Sequence, residues 1–501
     1  MRPFALPGLR RGRPGLPRRD DLPLSPLTRD VLFDTVSQES LHRAFPESDL
    51  LDNDVASWDD SAMSAELNGL SVIETVRRIQ SGEISSEELV QACMDRIEER
   101  EPTIHAWKFL DPELALAQAR QRDESEIEGP LHGVPVGIKD QFDTADMPTG
   151  YGSPIYEGHR PASDAESVAR LRTAGAVILG KTKLTEFALY HPTDTTNPLD
   201  PARTPGGSSS GSVASVADNM VPVATGTQTV GSIIRPASYC GIFGYKPTFG
   251  SISRAGVLPL SVSLDHVGFF ARTVEDLELV ARAITGTHTR YPSIRTAQPT
   301  NFDLRHPDEL RRPRIAFVRT PQWPELYATT RDRLEKAAAR LDQCGAVVKE
   351  VSLPAKFGGL VEAQETILGV ELAHALSYEF ENHPDRLSDL LYDVIERGNS
   401  VGMDEYLEAR KLAAECLWEN SGLFRDHDVL LAPSVRGEAP VGLGSTGDPL
   451  FCRMWTLLGL PCVSLPGILG PDGLPLGAQI IGPMYGDGLA LSVAGWASQR
   501  L

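Results

Sequence analysis

The sequence predicts an α/β protein: a single large domain in which α-helices flank one central mixed, mainly parallel β-sheet. Three observations predict it. From residue 131 onward, short apolar runs of strand length alternate with stretches of helical periodicity. Capping signals stand where those helical stretches begin. No internal repeat divides the chain, and the Pro-rich stretch 292–313 reads as a surface excursion rather than a linker, although 501 residues would allow roughly two to four domains on length alone.

The elements follow in order. Residues 1–65 start Arg- and Pro-rich, with no acid before Asp20 and no apolar segment behind them. They read as a flexible extension ahead of a domain spanning 66–501. Ordered structure is expected from Ser71, where Ser71-Val72-Ile73-Glu74 has capping-box spacing ahead of an amphipathic run that ends at Gly82. Ser85-Ser86-Glu87-Glu88 caps a second helix that carries Leu89, Val90, Cys93, Met94 and Ile97 on one face, so the pair should pack as a hairpin. Strand-like runs follow at 134–138, 176–179, 221–225, 314–318, 347–351, 429–431, 462–465 and 477–481. Helical stretches at 163–174, 210–217, 328–343 and 402–424 separate them.

Composition narrows the function classes. A chain with 41% hydrophobic and 23% charged residues is ordinary for a soluble protein, and no apolar run reaches the ~18 residues of a spanning helix, so no membrane role is expected. The formal net charge of −20 repels phosphate backbones and argues against nucleic acid as a partner. Six cysteines without a C-x-x-C pair or a histidine cluster imply no metal site, and free thiols fit a cytoplasmic location.

Two motif matches mislead. Gly175 to Thr182 spells the phosphate-loop pattern G-x-x-x-x-G-K-[ST], but its variable positions are Ala176, Val177, Ile178 and Leu179, which belong in a buried strand. Gly207-Ser208-Ser209-Ser210-Gly211 fits the G-x-S-x-G nucleophile elbow, with Ser209 as nucleophile and His427 and Asp428 as downstream candidates. An elbow needs a strand before it, and residues 198–206, rich in proline, cannot supply an interior strand.

The chemistry concentrates in two glycine-flanked serine turns and one lysine. The first turn is Pro205-Gly206-Gly207-Ser208-Ser209-Ser210-Gly211, with a helix start at Ser210. The second runs from Gly226 to Ala237 and places Ser232 at the opening of a helix that tolerates Pro236 in its first turn and stops at Gly241. The N–H groups of Thr229, Val230, Gly231 and Ser232 converge there and would stabilise an oxyanion. Lys139 ends an otherwise apolar strand; to act as a base near neutral pH it must be desolvated.

These residues together resemble the amidase signature family, serine hydrolases with a Ser-Ser-Lys triad. The resemblance runs from about residue 70 to 501 and includes Gly180 to Ala188, Asp428 to Pro433 and Gly473 to Pro483. It implies the amidase signature fold and a cis peptide at Gly207-Ser208. It also implies Ser232 as nucleophile, Ser208 and Lys139 as proton relay, Ser209 and Gly207 in support, and no cofactor. The substrate would be a small-molecule amide, anilide, carbamate or ester, and the enzyme a monomer or homodimer. Variable loops suggest Phe142, Tyr151, Tyr190 and Trp455 for the substrate pocket.

The chain departs from the family pattern at three positions of the second turn, and in the first turn Ser210 stands where the family commonly has a glycine. Gln228 stands for Asp, Val230 for Gly, and the arginine falls one place later at Arg235. Gln228 and Arg235 suggest a different internal polar contact; Val230 would either strain the turn or shape the acyl pocket. Two other readings stay open: a glutaminase-like component of an amidotransferase complex, and a catalytically weakened binding protein of the same fold.

Overall fold

Alternate residues of most strands are apolar on both faces, which requires cover on both faces. The structure, a computed structural model, describes residues 67–189, 191–285, 300–305, 309–310 and 312–501. In it, Val177 and Leu179 point into one apolar layer while Ile178 points into the other, and Leu430 and Ala432 oppose Val429 and Leu431 in the same way. The extension expected at 1–65 lies outside the described residues.

Eleven strands form one sheet: β1 (Trp107–Leu110), β2 (Pro135–Lys139), β3 (Val177–Thr182), β4 (Val223–Gln228), β5 (Phe243–Lys246), β6 (His266–Ala271), β7 (Arg314–Arg319), β8 (Val347–Ser352), β9 (Val429–Pro433), β10 (Cys462–Leu465) and β11 (Ala478–Ile481). Their order is β1-β3-β2-β4-β6-β5-β10-β11-β9-β7-β8. The sheet is mixed, as expected. Its parallel ladders join β2 to β3 and β4, and β7 to β8 and β9. The centre from β4 through β6, β5, β10 and β11 to β9 is antiparallel, so parallel pairing is confined to the flanks.

The caps form as the sequence predicts. Ser71 Oγ accepts from Glu74 N ahead of the helix Val72–Gln80, and Ser85 and Glu88 make a reciprocal capping box ahead of Ser86–Ile104. The expected hairpin does not form. The first helix packs on the helix Val274–Ile284, where Ile73 N donates to Asp276 Oδ1, and the second packs on Pro112–Glu124.

The topology builds the site. Strands β2 and β4 are parallel neighbours, with Val136 opposite Val223 and Gly137 opposite Ala224, so their C-terminal ends share one sheet edge. Lys139 ends β2 and Gln228 ends β4. The helices Ser210–Ala217 and Ile234–Cys240 start beside that edge and bring both serine turns to it.

Candidate active site

Lys139 is fully buried. Its backbone N–H donates to Thr225 Oγ1 at 2.9 Å, and its Nζ lies 2.9 Å from Ser208 Oγ and 2.7 Å from Thr227 Oγ1. The two threonines are alternate residues of β4, so their side chains lie on one face of the sheet. Burial pushes the amine well below the usual lysine range, against a smaller opposing pull from the Asp265 carboxylate. Among the described residues no carboxylate pairs with it directly, so no ion pair offsets the cost of burying the ammonium.

The first serine turn is held from several sides. Gly206 has φ 86, and the Gly207-Ser208 peptide is cis. A Cβ at Gly207 would sit 2.8 Å from Thr446 Cγ2, so any larger residue would have to displace Thr446. Arg235 is buried and, among the described residues, pairs with no carboxylate; it donates to the carbonyls of Gly207 at 2.7 Å and Gly447 at 2.5 Å. Desolvation draws its pKa below the usual arginine value. Ser209 is fully buried and donates to the Ser232 carbonyl at 2.8 Å instead of bonding the Ser208 hydroxyl. It therefore ties the two turns together through the backbone.

That geometry removes the nucleophile-elbow reading. Ser209 is already engaged, and among the described residues no strand runs directly into its turn. His427 bonds the Leu423 carbonyl and Asp428 pairs with Arg314, both away from the serine turns. The phosphate-loop match is strand β3, and its Lys181 is buried in an ion pair with Asp140.

The second turn presents Ser232, only 6% exposed. Among the described residues, the N–H groups of Thr229, Val230, Gly231 and Ser232 donate to no protein acceptor, and the Ser232 hydroxyl makes no hydrogen bond. Four successive N–H groups without a protein acceptor in a nearly buried turn are rare. A Cβ at Gly231 would sit 3.0 Å from Pro449 Cβ and 3.1 Å from Cys452 Cβ, so glycine lets the helix Leu450–Leu457 close on the turn.

Gln228 makes the different contact that the sequence suggested. Its Oε1 accepts from Ile233 N at 2.8 Å and Ile234 N at 3.0 Å, and its Nε2 donates to Thr456 Oγ1 at 2.9 Å. Thr456 in turn donates to the Val230 carbonyl at 2.7 Å. The longer side chain thus caps the helix Ile234–Cys240 from the end of β4. Val230 stays outside the left-handed region, so it does not strain the turn. Its side chain joins an apolar cluster with Tyr151, Leu184, Phe187, Leu260 and Ile367.

The pocket residues separate. Tyr151 shares the Val230 cluster and donates to Asp143 Oδ1 at 2.6 Å. Phe142 and Trp455 are fully buried in the two main core layers, and Tyr190 lies outside the described residues. Sequence reasoning missed the polar support of the second turn. Thr229 Oγ1 donates to Asp265 at 2.6 Å, and Gln364 Nε2 donates to the Thr229 carbonyl at 3.3 Å. No local signal marks it, because Gln364 stands beside Glu365 and Thr366 in the helix Leu360–Ala375. Thr227 and Gln141 were also missed, although the spacing of Thr225 and Thr227 placed both on one face of the sheet.

A mixed-sheet protein with a buried lysine–serine pair beside a second serine in an N–H-lined turn has the layout of an amide-cleaving hydrolase. Residues 88–491 match the Amidase family model, and the chain belongs to that family. It is 34% identical over 480 residues to the A component of the glutamyl-tRNA(Gln) amidotransferase of Carboxydothermus hydrogenoformans, covering 86% of this chain and 96% of the relative. Among solved structures it resembles the peptide amidase of Stenotrophomonas maltophilia, with TM-score 0.74 and 31% identity over 86% of this chain and 96% of that one. It also resembles a chain of a vestigial protein complex tied to the origins of an s-triazine catabolic enzyme, with TM-score 0.78 and 30% identity over 86% and 98%.

Proposed function

We propose that this amidase-family hydrolase cleaves the C–N bond of a small-molecule amide, anilide or carbamate through an acyl-enzyme on Ser232. The observation that carries this reading is the fully buried Lys139 amine 2.9 Å from Ser208 Oγ, because a desolvated amine without a carboxylate partner is a base. Ser232 Oγ attacks the carbonyl carbon while its proton passes to Ser208, whose own proton passes to Lys139. The oxyanion takes up the four unpaired N–H groups. Lys139, through Ser208, returns the proton to the departing nitrogen, and water then releases the acid from Ser232.

Similarity to the amidotransferase component over most of the chain supports a second reading, a glutaminase-like component that works within a complex. The apolar cluster around Val230 favours the first, because glutamine carries two charges that such a surface does not match. Purified protein assayed on chromogenic anilides, carbamates and esters beside glutamine decides between them. Turnover of the apolar amides without partners, abolished with fluorophosphonate labelling in Ser232→Ala, is the expected result. Turnover of glutamine alone would select the second reading, and full activity in Ser232→Ala would defeat both.

A further inference from the structure

The buried base is joined to a polar chain whose direction can be read from its last link. Gln141 is 1% exposed. One end of its amide faces the Leu258 carbonyl at 2.9 Å, and a carbonyl can only accept. That end is therefore the nitrogen, and the oxygen faces Thr227 Oγ1 at 2.7 Å. The backbone reinforces the arrangement, since Leu258 N donates to the Gln141 carbonyl at 3.2 Å.

The consequence passes along the chain. A threonine hydroxyl has one proton, and here it goes to Gln141. Thr227 Oγ1 can then only accept from Lys139, 2.7 Å away. A neutral amine has two N–H bonds and one lone pair. With one N–H directed at Thr227, the lone pair is left to meet the Ser208 proton across 2.9 Å. Were Thr227 free to rotate, its own proton could occupy that lone pair and silence the base.

We propose that Gln141 is a positioning residue that fixes the direction of the chain Gln141–Thr227–Lys139 and so turns the lysine lone pair toward Ser208. It touches neither substrate nor the reacting atoms; it acts through Thr227. The proposal rests on the Ser-Ser-Lys relay described above.

The test is a double-mutant cycle on the full chain with a chromogenic anilide. Gln141→Leu removes the acceptor but leaves the Thr227 proton, and kcat falls by about tenfold or more while KM stays within about threefold. Placed on Thr227→Val, which carries no proton to misdirect, Gln141→Leu has no further effect on kcat. The same loss in both backgrounds would overturn the proposal, because a packing role does not depend on the Thr227 hydroxyl. Gln141→Glu supplies a second readout if Gln141→Leu fails to fold. Its carboxylate still accepts from Thr227, so the plateau kcat is kept, and its charge adds to that of Asp265 in favouring the ammonium, so the acid limb moves to higher pH. An unmoved limb with a lowered plateau would overturn it. Failure of the relay itself reads differently: Lys139→Ala would then keep full anilide turnover.

Discussion

Replacing Gln228 by leucine tests how the second serine turn is held. Gln228 Oε1 is the sole side-chain acceptor of the Ile233 and Ile234 N–H groups, and all three residues are buried. Leucine fills similar space and accepts nothing. Each orphaned buried donor costs about 1–3 kcal/mol, so two cost about 2–6 kcal/mol, of which better burial of leucine returns about 1. The net loss is therefore about 1–5 kcal/mol, read as a lowered urea midpoint with an unchanged m-value. Activity should fall as well, because the freed helix start carries Ser232 and the N–H-lined turn. Gln228→Glu keeps the acceptor and is expected to recover more than half of the stability, which leucine cannot. A Gln228→Leu protein within about 0.5 kcal/mol of the parent would refute the capping argument. A stable Gln228→Leu enzyme with unchanged kcat would show that the turn is held from elsewhere.

Further outcomes follow from the same geometry. Activity should rise with pH through a Lys139 pKa well below the free-lysine value, and Lys139→Ala should lose that limb and harm amides more than activated esters, measured by pH-rate profiles on a matched pair. Because the folded pKa lies below the unfolded one, the unfolded chain binds more protons between the two, and stability from this group is lost as pH falls toward the folded pKa. Lys139→Met should therefore be stabilising on melting, and more so toward acidic pH. Val230→Gly should improve turnover of bulky acyl groups and leave small ones unchanged, since Val230 stands in the apolar cluster and not in a strained conformation; a gain across all acyl sizes would contradict this. Asp140→Asn should cost about 3–5 kcal/mol by stranding the buried Lys181, and adding Lys181→Met should recover most of it.

What the sequence made legible was whatever a local pattern encodes. The runs that became β2, β3, β4, β7, β8, β9, β10 and β11 were visible because each holds a run of apolar residues of strand length, and the caps at Ser71 and Ser85 because capping is decided within four residues. The strands that escaped are β1, β5 and β6, which read Trp-Lys-Phe-Leu, Phe-Gly-Tyr-Lys and His-Val-Gly-Phe-Phe-Ala. β1 and β5 have only four residues and each carries a lysine, β6 opens on His266 and holds Gly268, and each is held by neighbours distant in sequence. The helix hairpin failed for the same reason: amphipathic faces show that two helices bury something, and only the fold says against what.

The site divides along the same line. Lys139, Ser208 and Ser232 could be named because glycine turns and a lone lysine in an apolar run break local expectation. The groups that give them direction could not. Gln141, Thr227, Gln228, Gln364 and Asp265 are ordinary polar residues in the sequence, and their meaning lies in contacts that span from 5 to 228 positions along the chain. Residues that supply chemistry are set by type, whereas residues that orient it are set by which lone pair or proton they leave free. Arg235 shows this: standing one place off the family pattern, it suggested only that some internal polar contact differs, and the structure shows its guanidinium holding the carbonyl of the peptide before Ser208. A substitution in this family is therefore judged by whether the donor count at the two turns still closes, which is why Gln for Asp can preserve the turn while leucine for Gln should not.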